Sequence, residues 1–203
     1  MRVFLGITGA SGAAYGAMAL RALTDADCEV GLCISDSGLR VIRHELFGLG
    51  AGPIDDRDGT VDRFVGEYSA PARVTVLGLD ELTAPFASGS SLAPAALLMP
   101  CSGSTMGAIA HGAGRNLIHR CADVMLKERR TLVIVPRETP LSVIHLENML
   151  TLARAGAIVM PAMPGLYNDP KSVDDMVGFV VGKALDAIGV EHNLLKRWGQ
   201  AEE

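Results

Sequence analysis

Residues 126–140 read LKERRTLVIVPRETP, and this run decides the fold. Leu132 to Ile134, between β-favouring Thr131 and Val135, predict one short buried strand. Its charges stand at the two ends. Lys127, Glu128, Arg129 and Arg130 precede it, and Arg137 and Glu138 lie just past its carboxyl end, where open parallel sheets place their ligands. That position suits an anion; the plainer alternative is a solvated charged rim.

Outward from this strand, strand and helix signals alternate. Upstream, the periodicity predicts a strand at Val3 to Thr8, a helix from Ser11 to about Leu23, a strand at Glu29 to Ile34 and a helix at Ser37 to Phe47. A loop rich in Gly, Asp and Pro follows from Gly48 to Gly59, then a strand at Arg73 to Leu77 and another at Ala95 to Met99. A Ser/Gly turn at Cys101 to Thr105 leads into helical segments as far as Glu128. Downstream, Leu141 to Ala155 carries an apolar face at Leu146, Met149, Leu150 and Ala153, closes at Gly156 and precedes a strand at Ala157 to Met160. The last helix starts after Ser172 as N-cap, with a stripe of Val173, Val177, Val180, Val181, Ala184 and Ile188. This alternation predicts an α/β fold: one domain, three layers, a doubly wound parallel sheet of Rossmann-like or flavodoxin-like type. The domain is expected to span residues 1–190, with residues 191–203 as a C-terminal tail.

Composition narrows the function. The chain has 203 residues, 49% of them apolar, and a net charge of -5. It lacks the basic stripe that a nucleic-acid backbone requires. The four cysteines stand in apolar runs without CxxC spacing, which suits reduced thiols and a cytoplasmic protein. The five histidines show no metal spacing, so no metal site is expected. Residues 82–114 contain no Asp, Glu, Lys or Arg, yet Pro85, Pro94, Pro100 and many Ser and Gly break any membrane-spanning helix. The run reads as buried, ligand-lining backbone.

The turn GITGASGAAYG, residues 6–16, joins the first strand to the first helix. Gly9 and Gly12 allow close backbone approach, and Ser11 is expected to cap a helix whose free amides face a phosphate. The alternative is tight strand-to-helix packing without a ligand. The same letters would suit a nicotinamide-dependent short-chain dehydrogenase with Asp36 as its acid, whose Tyr and Lys would be Tyr167 and Lys171. Asn168, Asp169 and Pro170 between them make a turn instead of a helix. A serine hydrolase is set aside because no GxSxG elbow occurs.

With GITGASGAAYG, the Ser35 strand end, MPCSGST, LKERR and VPRETP in this order, the chain closely resembles the flavin prenyltransferase family, the UbiX-like flavoproteins, over its whole length. The resemblance implies transfer of a dimethylallyl group from dimethylallyl phosphate, or the diphosphate, to N5 and C6 of reduced FMN. The prenylated FMN then serves a UbiD-type decarboxylase. By the same resemblance, Gly9, Ala10, Ser11, Ser35, Ser102, Gly103, Ser104, Thr105 and Arg137 match the FMN contacts. Tyr167 and Lys183 match the positions that hold the prenyl phosphate, assisted by Lys127, Arg137 and Glu138. The family has Arg where this chain has Lys183, which gives up a bidentate fork for a point charge. Lys127, Arg137 and Lys183 would stabilise the departing phosphate. Glu138, Glu45 and the released phosphate are the candidate acids or bases, and Ser11 would serve the phosphate or the flavin N5 region. Phe86, ahead of Ser88, Gly89 and Ser90, is expected to line the prenyl pocket. Homo-oligomers, commonly dodecamers, with sites at subunit contacts are implied as well. Two competitors stand beside this reading. One is a flavin-dependent cysteine decarboxylase, whose PxMNxxMW segment is missing here; the other is a non-catalytic FMN carrier.

Overall fold

In the computed structural model, which describes residues 1–90 and 93–195, six parallel strands form one sheet. They are β1 (Arg2–Ile7), β2 (Glu29–Ile34), β3 (Val74–Val76), β4 (Ala95–Cys101), β5 (Thr131–Pro136) and β6 (Ile158–Val159), in the order β3-β2-β1-β4-β5-β6. Seven helices cross over between and after them: α1 (Ala13–Asp25), α2 (Asp36–Glu45), α3 (Arg57–Tyr68), α4 (Gly103–Ala110), α5 (Leu117–Lys127), α6 (Val143–Arg154) and α7 (Val173–Ala187). The order reverses between β1 and β4. At such a switch point the two connections leave on opposite faces and open a crevice above the strand ends.

Alternation along the strands builds two apolar layers. Val3, Leu5 and Ile7 of β1 face α1, α2, α3 and α7 together with Val30, Leu32, Leu97 and Val133. Phe4 faces the other way, with Leu98, Leu132 and Ile134, onto α4 and α5. Strands buried on both faces read as continuous apolar runs, as LVIV does. Full burial of each such Leu or Val contributes roughly 1.5–3 kcal/mol.

Three expectations need correction. A helix, α3, occupies residues 57–68, so the loop placed at Gly48 to Gly59 ends at the helix N-cap Asp56. Gly59 and Gly66 within it dilute the apolar signal to Val61, Phe64 and Val65. Of the expected face of α6, Met149 packs against the core, but Leu146 and Leu150 are half exposed and Ala153 is exposed; Val143 and Ile144 are more exposed still, and Asn148 and Leu152 are the buried positions. In α7, Val173 is 72% exposed although Val177, Val180, Val181, Ala184 and Ile188 are buried as expected. Beyond α7 the chain turns back, and His192 Nε2 meets Asp186 Oδ1 at 3.2 Å. The tail expected at 191–203 thus packs on α7 up to residue 195, and residues 196–203 lie outside the described residues.

The first turn of α2 sits against the end of β1. A methyl group at Gly38 would come within 2.7 Å of the Ile7 carbonyl oxygen, a backbone atom that cannot step aside. We expect Gly38→Ala to destabilise the protein by about 1–3 kcal/mol, as overpacking does, measured by denaturant unfolding. A midpoint equal to that of the parent would show that β1 and α2 are not in this contact.

Candidate functional site

The crevice is built from what leaves β1, β2, β4 and β5. After β1 the chain turns at Gly9, Ala10 and Ser11 into α1. Ser11 does not cap that helix: the N-cap is Gly12, at φ 108°, and no side chain of its own caps the turn. Because the left-handed glycine makes the turn, the Ser11 hydroxyl stays exposed and available to a ligand. The first amides of α1 are held instead by Glu45 at the end of α2, whose Oε2 accepts from Gly12 N at 2.8 Å and Ala13 N at 2.7 Å.

The other two helix starts at the crevice, those of α2 and α4, have neutral caps. Ser35 Oγ accepts from Gly38 N at 3.0 Å at the start of α2. Ser102 Oγ accepts from Thr105 N at 3.3 Å at the start of α4, within hydrogen-bond reach of the Ser104 and Thr105 hydroxyls, each at 3.1 Å. Arg137 crosses from the end of β5, and its Nε donates to the Ser11 carbonyl at 3.0 Å. Three helix N-termini, with their partial positive charge, therefore converge with several hydroxyls and one guanidinium. Gly9, Ala10, Ser11, Ser35, Ser102, Gly103, Ser104, Thr105 and Arg137 thus stand at the carboxyl ends of four adjacent strands, β2, β1, β4 and β5. The set fits a phosphate-bearing, hydrogen-bond-rich ligand such as FMN. Glu138 lies exposed beside Arg137, with Oε1 accepting from Thr139 N at 3.2 Å.

The remaining candidates lie elsewhere. Tyr167 follows β6 in a turn, with its ring edge-on to Phe179 at 5.6 Å, beside a cavity of 460 Å³ that Lys171, Asp175 and Leu194 also line. Lys171 pairs with Asp169 in that turn, so the dehydrogenase Tyr/Lys pattern has no helix here. Asp36 likewise pairs with Arg57 of α3. Lys183 is exposed on α7, one helical turn beyond Phe179. Lys127 ends α5 at the amino end of β5, paired with Glu128 beside Gly89; the ammonium holds the Glu128 carboxyl below its usual range. Six strand residues separate that end from Arg137, about 20 Å at the usual strand rise. Within one chain Lys127 therefore does not join Arg137 and Glu138. Phe86 is also misplaced by the expectation: it is buried against Phe4, ring centroids 5.5 Å apart, in the layer under the sheet.

Two features escaped the sequence reading. Thr8 is 1% exposed; its hydroxyl donates to the Pro100 carbonyl at 3.1 Å and accepts from Ser102 N at 2.7 Å, tying the ends of β1 and β4. Its signal was the Thr at the last strand position before the glycine turn. The second is a polar seam between α4 and α6 at His111, His145 and Asn148, which no familiar spacing announces. All four cysteines are buried. Burial pushes the Cys33 and Cys101 thiols up to about 12, so they are protonated and poor nucleophiles. Among the described residues, no group of three or more His, Cys, Asp or Glu side chains could hold a metal ion, and no helix is long and apolar enough to cross a membrane.

Comparison with known proteins agrees with this geometry. Residues 1–185 match the Flavoprotein family. The flavin prenyltransferase UbiX of Halalkalibacterium halodurans is 48% identical over 199 residues, 98% of this chain and 94% of that one. A crystal structure of AnUbiX in complex with FMN and dimethylallyl pyrophosphate superposes with a TM-score of 0.84 at 37% identity, covering 99% of this chain and 98% of the other. The dodecameric FMN-dependent UbiX-like decarboxylase of Escherichia coli O157:H7 gives the same TM-score and identity over 98% of this chain and all of its own. With its sheet order, its ligand crevice and this full-length similarity, the chain belongs to the Flavoprotein family and, within it, to the UbiX flavin prenyltransferases.

Proposed function

We propose that the protein transfers a dimethylallyl group from dimethylallyl phosphate to N5 and C6 of reduced FMN, and that a UbiD-type decarboxylase takes up the prenylated flavin. The supporting observation is the crevice itself, where Arg137 reaches over the Ser11 turn beside the serine-capped starts of α2 and α4. Bound there, reduced FMN would supply the electron-rich N5 and C6. Ser35, Ser102, Ser104 and Thr105 would bind and orient it through hydroxyls and first-turn amides.

Arg137, Tyr167, Lys183 and Lys127 would hold the donor's phosphate and stabilise its charge as the allylic carbon–oxygen bond breaks. Lys127 would reach the crevice from another copy of the chain, because its own stands at the far end of β5. The outward apolar face of α6, with Val143 69% and Ile144 67% exposed, supports such packing, as do Met163, Leu166 and Val173 nearby in sequence. A homo-oligomer, such as the dodecamer of the Escherichia coli relative, would thus complete the site. After the bond to N5, closing the second bond, to C6, requires moving a proton, for which Glu138 and Glu45 are the candidates. Glu45 Oε2 already holds the α1 amides, leaving Oε1 for that task. Buried, protonated thiols fit a reducing, cytoplasmic setting.

Anaerobic incubation with reduced FMN and dimethylallyl phosphate, then mass analysis of the released flavin, is expected to give a flavin heavier by one five-carbon unit. Unmodified flavin with both the monophosphate and the diphosphate would overturn the proposal, and carbon dioxide released from a cysteinyl substrate would favour the decarboxylase. Glu138→Ala is expected to keep FMN and slow alkylation by about 10²–10⁴-fold, the range for loss of a general acid or base; parental turnover would remove Glu138 from proton transfer. For Lys183→Ala we expect the donor's KM to rise by about tenfold or more, as loss of one charge-assisted contact does, with a smaller change in kcat. An unchanged KM would make Lys183 a solvated edge residue.

A further inference from the structure

The start of α6 is closed by a capping box with an unusual member. Ser142 Oγ accepts from His145 N at 3.2 Å, and His145 Nδ1 accepts from Ser142 N at 3.3 Å. The third helical position in such a box ordinarily holds Glu or Gln. Here it holds a histidine whose Nδ1 must be an acceptor, leaving the ring's proton on Nε2. That edge of the ring faces α4: a methyl group at Gly103 would lie 2.9 Å from Nε2. One turn further along, Asn148 abuts Gly107, and its Oδ1 lies 3.0 Å from His111 Nε2 at the end of α4. The two helices therefore run side by side in the same direction, with both positive ends at the crevice.

Carboxylates serve three other helix starts, one of them at the crevice, and Asn116 caps α5. Asp56 serves α3, Asp175 completes the box of α7, and Glu45 holds the amides of α1. At α2, α4 and α6, by contrast, the caps are Ser35, Ser102 and the Ser142/His145 pair. A glutamate at 145 would close the box equally well but would set a carboxylate against the first turn of α4. We infer that His145 is a specificity-determining residue: it completes the α6 cap without a negative charge and so keeps the start of α4 open to an anionic group of the flavin. The inference rests on the flavin site proposed above. Two flavin groups share that chemistry, the ribityl phosphate and the deprotonated N1 of the reduced ring.

The test compares the parent with His145→Gln and His145→Glu, both able to close the capping box. Dissociation constants are measured for FMN and riboflavin, oxidised and reduced under anaerobic conditions, alongside the thermal midpoint of the flavin-free protein. We expect His145→Gln to bind within about threefold of the parent and His145→Glu to bind the anionic species about tenfold or more weakly, as a charge pair a few ångströms apart implies, with midpoints alike. A loss confined to FMN would assign the phosphate, and one confined to the reduced flavins would assign N1; both support the inference. Equal binding by the Gln and Glu variants would overturn it. So would an equal loss for neutral oxidised riboflavin, because shape rather than charge would then be at work. Failure of the parent to bind FMN would be a separate result, removing the flavin site itself.

Discussion

One hydroxyl holds the switch point together. Thr8 sits where β1 ends, and its side chain spans to β4 by giving a hydrogen bond to the Pro100 carbonyl and receiving one from the Ser102 amide. Without it, the half-buried Ser102 amide would lose its partner, at a cost of about 1–3 kcal/mol, while the Pro100 carbonyl would keep the Thr8 amide at 3.1 Å. More follows from its position than from that energy. Ser102 is the cap of α4, so the hydroxyl fixes where α4 begins relative to the glycine turn of β1. Arg137 then ties the end of β5 to the same turn through the Ser11 carbonyl. Three strand ends are thereby locked into one frame, and the cradle between them is set before any ligand arrives.

The electrostatics of that frame reconcile an acidic protein with an anionic ligand. The chain carries a net charge of -5, so attraction cannot come from the whole surface. It comes from amide dipoles at the helix starts, from one guanidinium, and from the choice of neutral caps where the helices meet the crevice. Glu45 is the exception, and its carboxylate occupies the α1 amides that a phosphate could otherwise take.

Much of this was legible in the sequence because it depends on local rules. LVIV between charged ends reads as a strand buried on both faces, and the Ser/Gly run after β4 reads as the turn into a helix. What was hidden depends on tertiary contact. The α3 helix hides behind two glycines and a polar exterior. The outward Leu146 and Leu150 obey a helical period, which reports that an apolar face exists and not which body covers it. Ser11 looked like a cap because the position suits one, but Gly12 adopts the left-handed conformation and takes that place. Lys127 and Arg137 are ten residues apart in number yet stand at opposite ends of one extended strand, and Phe86 precedes a serine loop yet turns into the core.

That separation of Lys127 from Arg137 has a consequence for symmetry. If the amino-end charge of one copy is to meet the carboxyl-end crevice of another, the contact joins two unlike patches. A two-fold axis makes such a contact twice over, residue i meeting j and j meeting i, only where both ends border one self-complementary face. Head-to-tail contacts close only as rings or run on as filaments. A finite assembly built this way must close on itself, as a two-fold pair or as a ring, with every crevice bordered by a neighbour and none left at an end.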